Sequence, residues 1–379
     1  MEEDGAARTQ SGRTPTAAPG SEGAGQDIVV AVEGAAGVVT LNRPAALNAL
    51  TSDMRAALAE AFPRWSRDPQ VYAVVISSTC ERAFCTGGDV RQTTEKARTN
   101  RAEAVASLAA EYALVWELDC FTKPTVPLID GLVMGSGVGI SLFGTHRVAG
   151  EGYRFAMPET AIGLFPDDGV SFAFARMPGE IGMYLALTGR RIGRADAYAL
   201  GLVTHCIPAA RFGEIQAGLR NADPVDPLLD GRHVDPGPGE LEPLREAIAR
   251  CFAADSVEGI LARLRAERGA TQPWAEGVIE DLSRRSPTSL KITHRLVRRA
   301  RRLDLRATLQ HDFRLACRCL DGHDFHEGVR AMLIDRDRSP RWRPERLEDV
   351  TEAMVDAYFA PLAEELALPS RVEMQAVDR

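Results

Sequence analysis

The sequence predicts an α/β core followed by a helical section, and three observations carry that prediction. Strand-like and helix-like runs alternate from residue 27 onward. The strand runs are almost continuously apolar, as parallel strands covered on both faces must be. After about residue 207 the strand pattern stops. In chain order, IVVAVEG and GVVTLNRP are β-rich runs joined through Gly-Ala-Ala-Gly, a hairpin or tight loop. SDMRAALAEAFPRWS has helical spacing, with Thr51 or Ser52 as its N-cap. YAVVISST reads as a buried strand and runs into the glycine turn CTGGD. Residues 102–120 read as a helix, PTVPLID as a strand and GSGVGISLF as the opening of another helix. The stretch 216–240 is rich in Pro, Gly and Asp and reads as a loop or linker. From 241 to the end at 379 the pattern is helical, broken at Gly269, Pro273, Pro287 and Pro340 to Pro344, with no internal repeat. The expected organisation is thus a disordered tail over 1–26, an α/β core over 27–215, the loop, and a helical region over 241–379.

Bulk properties restrict the function. Of 379 residues, 45% are hydrophobic and 26% charged, ordinary for a folded globular chain. A net charge of -8 argues against polyanionic partners, so neither nucleic acid nor a membrane surface is expected. No run of apolar residues is long enough to span a bilayer. Seven scattered cysteines fit no disulfide or zinc spacing, which points to reduced thiols and a cytoplasmic location. Glu2, Glu3 and Asp4, with no apolar segment beside them, argue against a targeting peptide.

Two glycine turns could carry chemistry, CTGGD at 85–89 and MGSGVG at 134–139. Each follows an apolar strand, and the second enters a helix, where unpaired backbone N–H groups point one way and suit an anion or a developing oxyanion. Alone, either turn is better explained by tight chain reversal. GSGVG is not a dinucleotide fingerprint, and Ser136 lacks the flanking glycines of a nucleophile elbow. The following stretch FAMPETAIGLFPDDG places Glu159, Asp167 and Asp168 among apolar residues. A carboxylate in an apolar pocket resists ionisation and becomes a base or nucleophile near neutral pH. The competing explanation for Glu159 is a helix-start acid after Pro158.

AFCTGGDVR, KPTVPLIDGLVMGSGVGIS, FAMPETAIGLFPD and GHDFHEGVRAMLIDRDRSPRW together resemble the crotonase (enoyl-CoA hydratase/isomerase) superfamily, over roughly residues 28–362. MPETAIGLFPD and DRDRSPRW are similar to its thioester-hydrolase branch. The resemblance implies a crotonase-like ββα spiral core with a helical C-terminal section. It also implies hydrolysis of a short 3-hydroxyacyl-CoA, foremost 3-hydroxyisobutyryl-CoA, as in valine breakdown. Coenzyme A then belongs to the substrate, and no separate cofactor is implied. Glu159 takes the place of the catalytic glutamate and Asp167 that of a second carboxylate near the substrate hydroxyl or the attacking water. The oxyanion donors are the backbone N–H groups of Thr86 and Ser136, the latter standing where most relatives have glycine. Glu111, with Gly87 and Gly135, falls on substrate-contacting positions, and Arg43, Ala45 and Leu47 on the segment that passes CoA. Relatives often have lysine where this chain has Ala45, and the basic run at 284–302 offers either a substitute for the phosphates or a solvated helix face.

Gly139 occupies the place of the first glutamate of enoyl-CoA hydratases, so the resemblance favours hydrolysis over hydration. Two alternatives remain: a hydratase, isomerase or lyase acting on another acyl-CoA, and an acyl-CoA-binding protein without turnover. Asp168 matches no acid of the family and reads as a bystander, and His323 and His326 lack a third ligand, so no metal is expected. Relatives often form trimers or hexamers, which leaves a homo-oligomer open.

Overall fold

The computed structural model describes residues 26–377; the tail expected over 1–26 therefore lies outside the described residues except for Gln26. β1 (Ile28–Glu33) and β2 (Ala36–Leu41) form the antiparallel hairpin. α1 (Ser52–Arg67) follows, and Thr51 caps it by accepting from the Met54 N–H at 3.2 Å, which settles the choice between Thr51 and Ser52. Next come β3 (Ala73–Ser78), β4 (Ala83–Cys85), α2 (Val90–Thr99) and α3 (Arg101–Cys120). β5 (Thr125–Ile129) and β6 (Leu132–Met134) lead into α4 (Ser136–Leu142). β7 (Val148–Ala149), β8 (Arg154–Ala156), α5 (Val170–Phe174), α6 (Ile181–Thr188), β9 (Ile192–Gly193), α7 (Arg194–Ala199) and β10 (His205–Cys206) complete the strand-bearing part.

The strands form two sheets. The larger runs β1-β2-β3-β5-β7-β10, parallel apart from the hairpin. The smaller runs β4-β6-β8-β9, with only β8 and β9 antiparallel. Period-two alternation divides the larger sheet between two cores. Val38, Ala73 and Val75 face one layer with α8 (Phe212–Arg220) and α9 (Val225–Asp230). Val39, Val74 and Ile76 face the main core under α1. α9 lies within the span read from sequence as a loop or linker; Val225, Leu228 and Leu229 fall on one side of a helical turn and are buried, which anchors that Pro- and Asp-rich stretch to the sheet.

The helical part comprises α10 (Arg245–Phe252), α11 (Val257–Ala266), α12 (Gln272–Ser283), α13 (Pro287–Ala300), α14 (Leu305–Asp321), α15 (His323–Val329), α16 (Glu352–Phe359) and α17 (Arg371–Val377). Pro273 and Pro287 sit in the first turns of α12 and α13, where proline's missing N–H has no intrahelical acceptor to lose. α3 is buried on two sides: Leu114 and Leu118 join the main core, while Leu108, Tyr112, Val115 and Trp116 pack with Leu309, Leu320, Phe325 and other C-terminal residues. A helix covered on two faces has no single apolar stripe, which is why it reads as broadly apolar in sequence. The C-terminal helices thereby stand over the strand ends that carry the glycine turns. Among the described residues, no helix is long and apolar enough to cross a membrane.

Candidate active site

Both glycine turns and the acid-bearing stretch line one cavity of about 510 Å³. The first turn follows β4, and Gly87 has φ +101°; a Cβ there would lie 3.3 Å from the Met134 carbonyl oxygen and 3.5 Å from the Ser136 nitrogen. The second turn follows β6, and Gly135 has φ +48°; a Cβ there would lie 3.2 Å from Gly87 Cα and 3.3 Å from Glu159 Oε1. Neighbouring parallel strands β4 and β6 bring the turns together, and glycine at both positions lets their backbones touch. The Glu159 carboxyl then sits directly beside them.

β8, the next strand in the smaller sheet, delivers Glu159. After Ala156 the chain passes Met157 and Pro158 into a 3-10 turn over Glu159–Ile162. Glu159 makes no capping bond there: its side chain is buried, lines the cavity and has Oε2 without a partner. Glu159 opens this turn directly after Pro158, as the helix-start explanation expects, and the same residue lines the cavity. Burial, and then the charge of Asp167, push its pKa well above the usual glutamate range. Asp167 also lines the cavity and accepts a hydrogen bond from the Tyr112 hydroxyl at 2.8 Å. Burial and the Glu111 charge raise its pKa to about 7, against the stabilising Tyr112 bond. Glu111 reaches the same cavity from α3, accepting from the Ser136 hydroxyl and pairing with Arg55 of α1 at 3.6 Å.

Asp168 has turned away from the cavity. It is buried at φ +53° with both oxygens unpartnered, and burial followed by the charges of Asp167, Glu111 and Asp312 raises its pKa well above the usual range. A Cβ on Gly139 would lie 3.1 Å from Asp168 Cβ and 3.1 Å from Val115 Cγ2. The space into which a glutamate at 139 would project is already filled.

The two expected oxyanion donors differ. Ser136 is the first residue of α4, where an N–H has no intrahelical acceptor. The Thr86 N–H donates to the Leu47 carbonyl oxygen at 3.2 Å, so it is engaged in this structure, although Thr86 lines the cavity. Arg43, Ala45 and Leu47 are not on the cavity wall. Arg43 instead ties down the neighbouring chain, donating to Asp89 Oδ2 at 2.9 Å and the Ala49 carbonyl at 3.0 Å. The basic run at 284–302 is also largely committed: Lys291 pairs with Glu258 at 2.6 Å, Arg298 with Glu180 at 2.8 Å and Arg295 with Glu352 and Asp356. Arg285 lines the cavity while donating to the Thr188 carbonyl at 2.6 Å. His323 and His326 meet the backbone carbonyls of Arg341 and Leu320, each at 2.9 Å, and no metal-ligand cluster occurs among the described residues.

Tyr112 and Arg55 escaped the sequence reading. Tyr112 adjoins Glu111 in EYALV, and Arg55 interrupts the buried stripe of Met54, Leu58 and Phe62. A charged residue inside such a stripe signals a buried partner, but the partner lies on another helix.

The enoyl-CoA hydratase/isomerase family profile matches residues 36–359. The chain belongs to that family. Within the family, the chain is 39% identical over 354 residues to a protein of Danio rerio named 3-hydroxyisobutyryl-CoA hydrolase, mitochondrial, covering 91% of this chain and 92% of the relative. It is 40% identical over 339 residues to the protein of that name from Xenopus tropicalis, covering 87% of each. Among solved structures, a carnitinyl-CoA dehydratase from Mycobacterium thermoresistibile superposes with a TM-score of 0.86 at 38% identity, covering 90% of this chain and 99% of the other. The crotonase-like α/β core with its helical C-terminal section is therefore this family member's fold. The expected cytoplasmic location is overturned, since both relatives are named mitochondrial. The seven described cysteines are free and buried, and such thiols persist in any reducing compartment, so they never singled out the cytosol.

Proposed function

We propose that this family member hydrolyses short 3-hydroxyacyl-CoA thioesters, 3-hydroxyisobutyryl-CoA first among them, releasing the free acid and CoA in a valine-breakdown step. The observation that carries the reading is the Glu159 carboxyl set beside Gly135, while position 139, the place of a hydratase's first glutamate, offers neither an acid nor room for one. Hydration of a double bond calls for an acid and a base around one water, whereas thioester cleavage needs one carboxylate and a place for the carbonyl oxygen. The relatives named as hydrolases of this substrate support the choice.

In this reading the thioester carbonyl lies against the two turns. Ser136 supplies one backbone donor to its oxygen, and Thr86 supplies the second once its N–H leaves Leu47. Glu159 either attacks the carbonyl carbon, breaking the C–S bond to give a mixed anhydride and the CoA thiolate before water cleaves the anhydride, or takes a proton from a water that attacks the carbon and expels the thiolate. Both routes need Glu159 ionised. Asp167, oriented by Tyr112, attends the substrate hydroxyl or the attacking water. No resident cofactor enters the reaction.

The test is thiol release from hydroxylated and plain short acyl-CoAs. Wild-type protein should liberate free CoA, and Glu159→Gln should lower kcat by about 10²- to 10⁴-fold with KM within a few-fold. Consumption of substrate without thiol would identify the hydratase or dehydratase reading that the mycobacterial structure's name invites. Binding without any product would favour a scaffold.

A further inference from the structure

The Ser136 side chain, as distinct from its backbone, has no role in the reading above. Its hydroxyl donates to Glu111 Oε1, and it is buried. Glu111 Oε2 lies 3.6 Å from Arg55 Nη1, and Arg55 is held in turn by the Leu50 carbonyl at 3.3 Å and the Ser107 hydroxyl at 3.0 Å. These groups converge above the first glycine turn: a Cβ placed on Gly88 would meet Ser136 Oγ at 3.2 Å, Arg55 Nη1 at 3.4 Å and Glu111 Oε1 at 3.5 Å. Glu111 is thus gripped from two sides, by α4 and by α1, on a wall of the cavity.

We infer that Ser136 is a positioning residue that fixes the Glu111 carboxylate as a preorganised acceptor for the hydroxyl of the acyl group, and so makes the site select hydroxylated over plain acyl-CoAs. This deepens the reading proposed above and rests on it for the class of substrate. A carboxylate on a long side chain loses rotamer freedom when it captures a ligand. Here the Ser136 bond and the Arg55 charge fix that geometry in advance, which leaves the remaining lone pairs aimed and the ordering cost already met. Fixed polar groups also discriminate more sharply, because a ligand lacking the hydroxyl leaves the desolvated acceptor unsatisfied. A glycine at 136 would keep the backbone donor and lose this grip.

The experiment measures the affinities of 3-hydroxyisobutyryl-CoA and isobutyryl-CoA by calorimetry, in a Glu159→Gln background that stops turnover. With Ser136 in place the hydroxylated ester should bind on the order of tenfold more tightly; Ser136→Ala and Ser136→Gly should each bring the ratio within about twofold of unity. In a Glu111→Gln background, Ser136→Ala should change the ratio less than twofold, because its effect passes through Glu111. Thermal melts confirm folding, and a merely structural role would weaken both ligands alike without moving the ratio. An unchanged ratio in Ser136→Ala, or an equal loss with Glu111 already replaced, overturns the inference. Thiol release by the Glu159-bearing protein is scored separately: the selectivity can hold where hydrolysis fails, and hydrolysis can hold where the selectivity fails.

Discussion

Asp167 and Glu159 both line the cavity, and the charge of Asp167 opposes that of Glu159. Burial and Glu111 push Asp167 up to about 7, while burial and Asp167 hold Glu159 well above the ordinary glutamate range. Since the proposed chemistry needs Glu159 ionised, kcat/KM should rise with pH along an acid limb lying above that of an exposed glutamate. Asp167→Asn removes the opposing charge, so Glu159 ionises more readily and the limb should move to lower pH. The plateau should fall by tenfold or more as the assisting carboxylate is lost. A pH profile of thiol release checks both, and a limb that stays in place would mean that Glu159 does not sense Asp167. The motif FAMPETAIGLFPDDG placed these acids near each other in the chain, and the resemblance separated Asp168 from the other two. What the motif left unsaid is why Asp168 stands apart. At φ +53° its side chain turns beneath Gly139, a direction set by backbone torsion and packing that no residue pattern encodes.

The turn that bears Glu159 is positioned by elements far away in sequence. The Ser286 N–H donates to the Thr160 carbonyl at 3.1 Å, and Ser286 also caps α13 while its hydroxyl donates to Asp324 at 2.6 Å. α15 lies on the same turn so closely that a Cβ at Gly328 would meet Ile162 Cα at 2.5 Å and its carbonyl carbon at 2.4 Å. Gly328→Ala must therefore push the 3-10 turn or α15 aside. Overpacking of this kind costs about 1–3 kcal/mol, and a small displacement of a reacting group can lower a rate by roughly 10²-fold. We expect kcat for thiol release to fall by at least tenfold together with a lower Tm; a lower Tm with unchanged kcat would show that the turn does not depend on α15. Helix and strand identities were legible where local pattern governs, as in YAVVISST and the helix over SDMRAALAEAFPRWS. The 3-10 turn and α9 were not, because tertiary burial decides short elements.

At the scale of the molecule, the cavity is built jointly by the strand-bearing part and the C-terminal helices. Thr86, Ser136 and Glu159 come from the first, whereas Ala316, Leu320, Phe325 and Leu333 come from the second. The same helices cover Leu108, Tyr112 and Trp116 on α3. A chain ended after residue 286 should therefore expose that face, bind the dye ANS and release no thiol. A soluble truncated chain with undiminished turnover would contradict this account.

By itself the sequence determined the alternation of strands and helices, the two glycine turns, the acids that follow them and the family to which these belong. Each of those features is local in the chain, set by hydrophobic period, by glycine's access to positive φ or by short motifs. Only the tertiary structure decided that the Thr86 N–H is engaged, that Arg43 is tied to Asp89, that Asp168 fills the space below Gly139 and that Ser136 and Arg55 hold Glu111 between them. Those outcomes depend on which side chains from distant segments compete for the same volume and the same hydrogen bonds, and that competition exists only once the chain is packed.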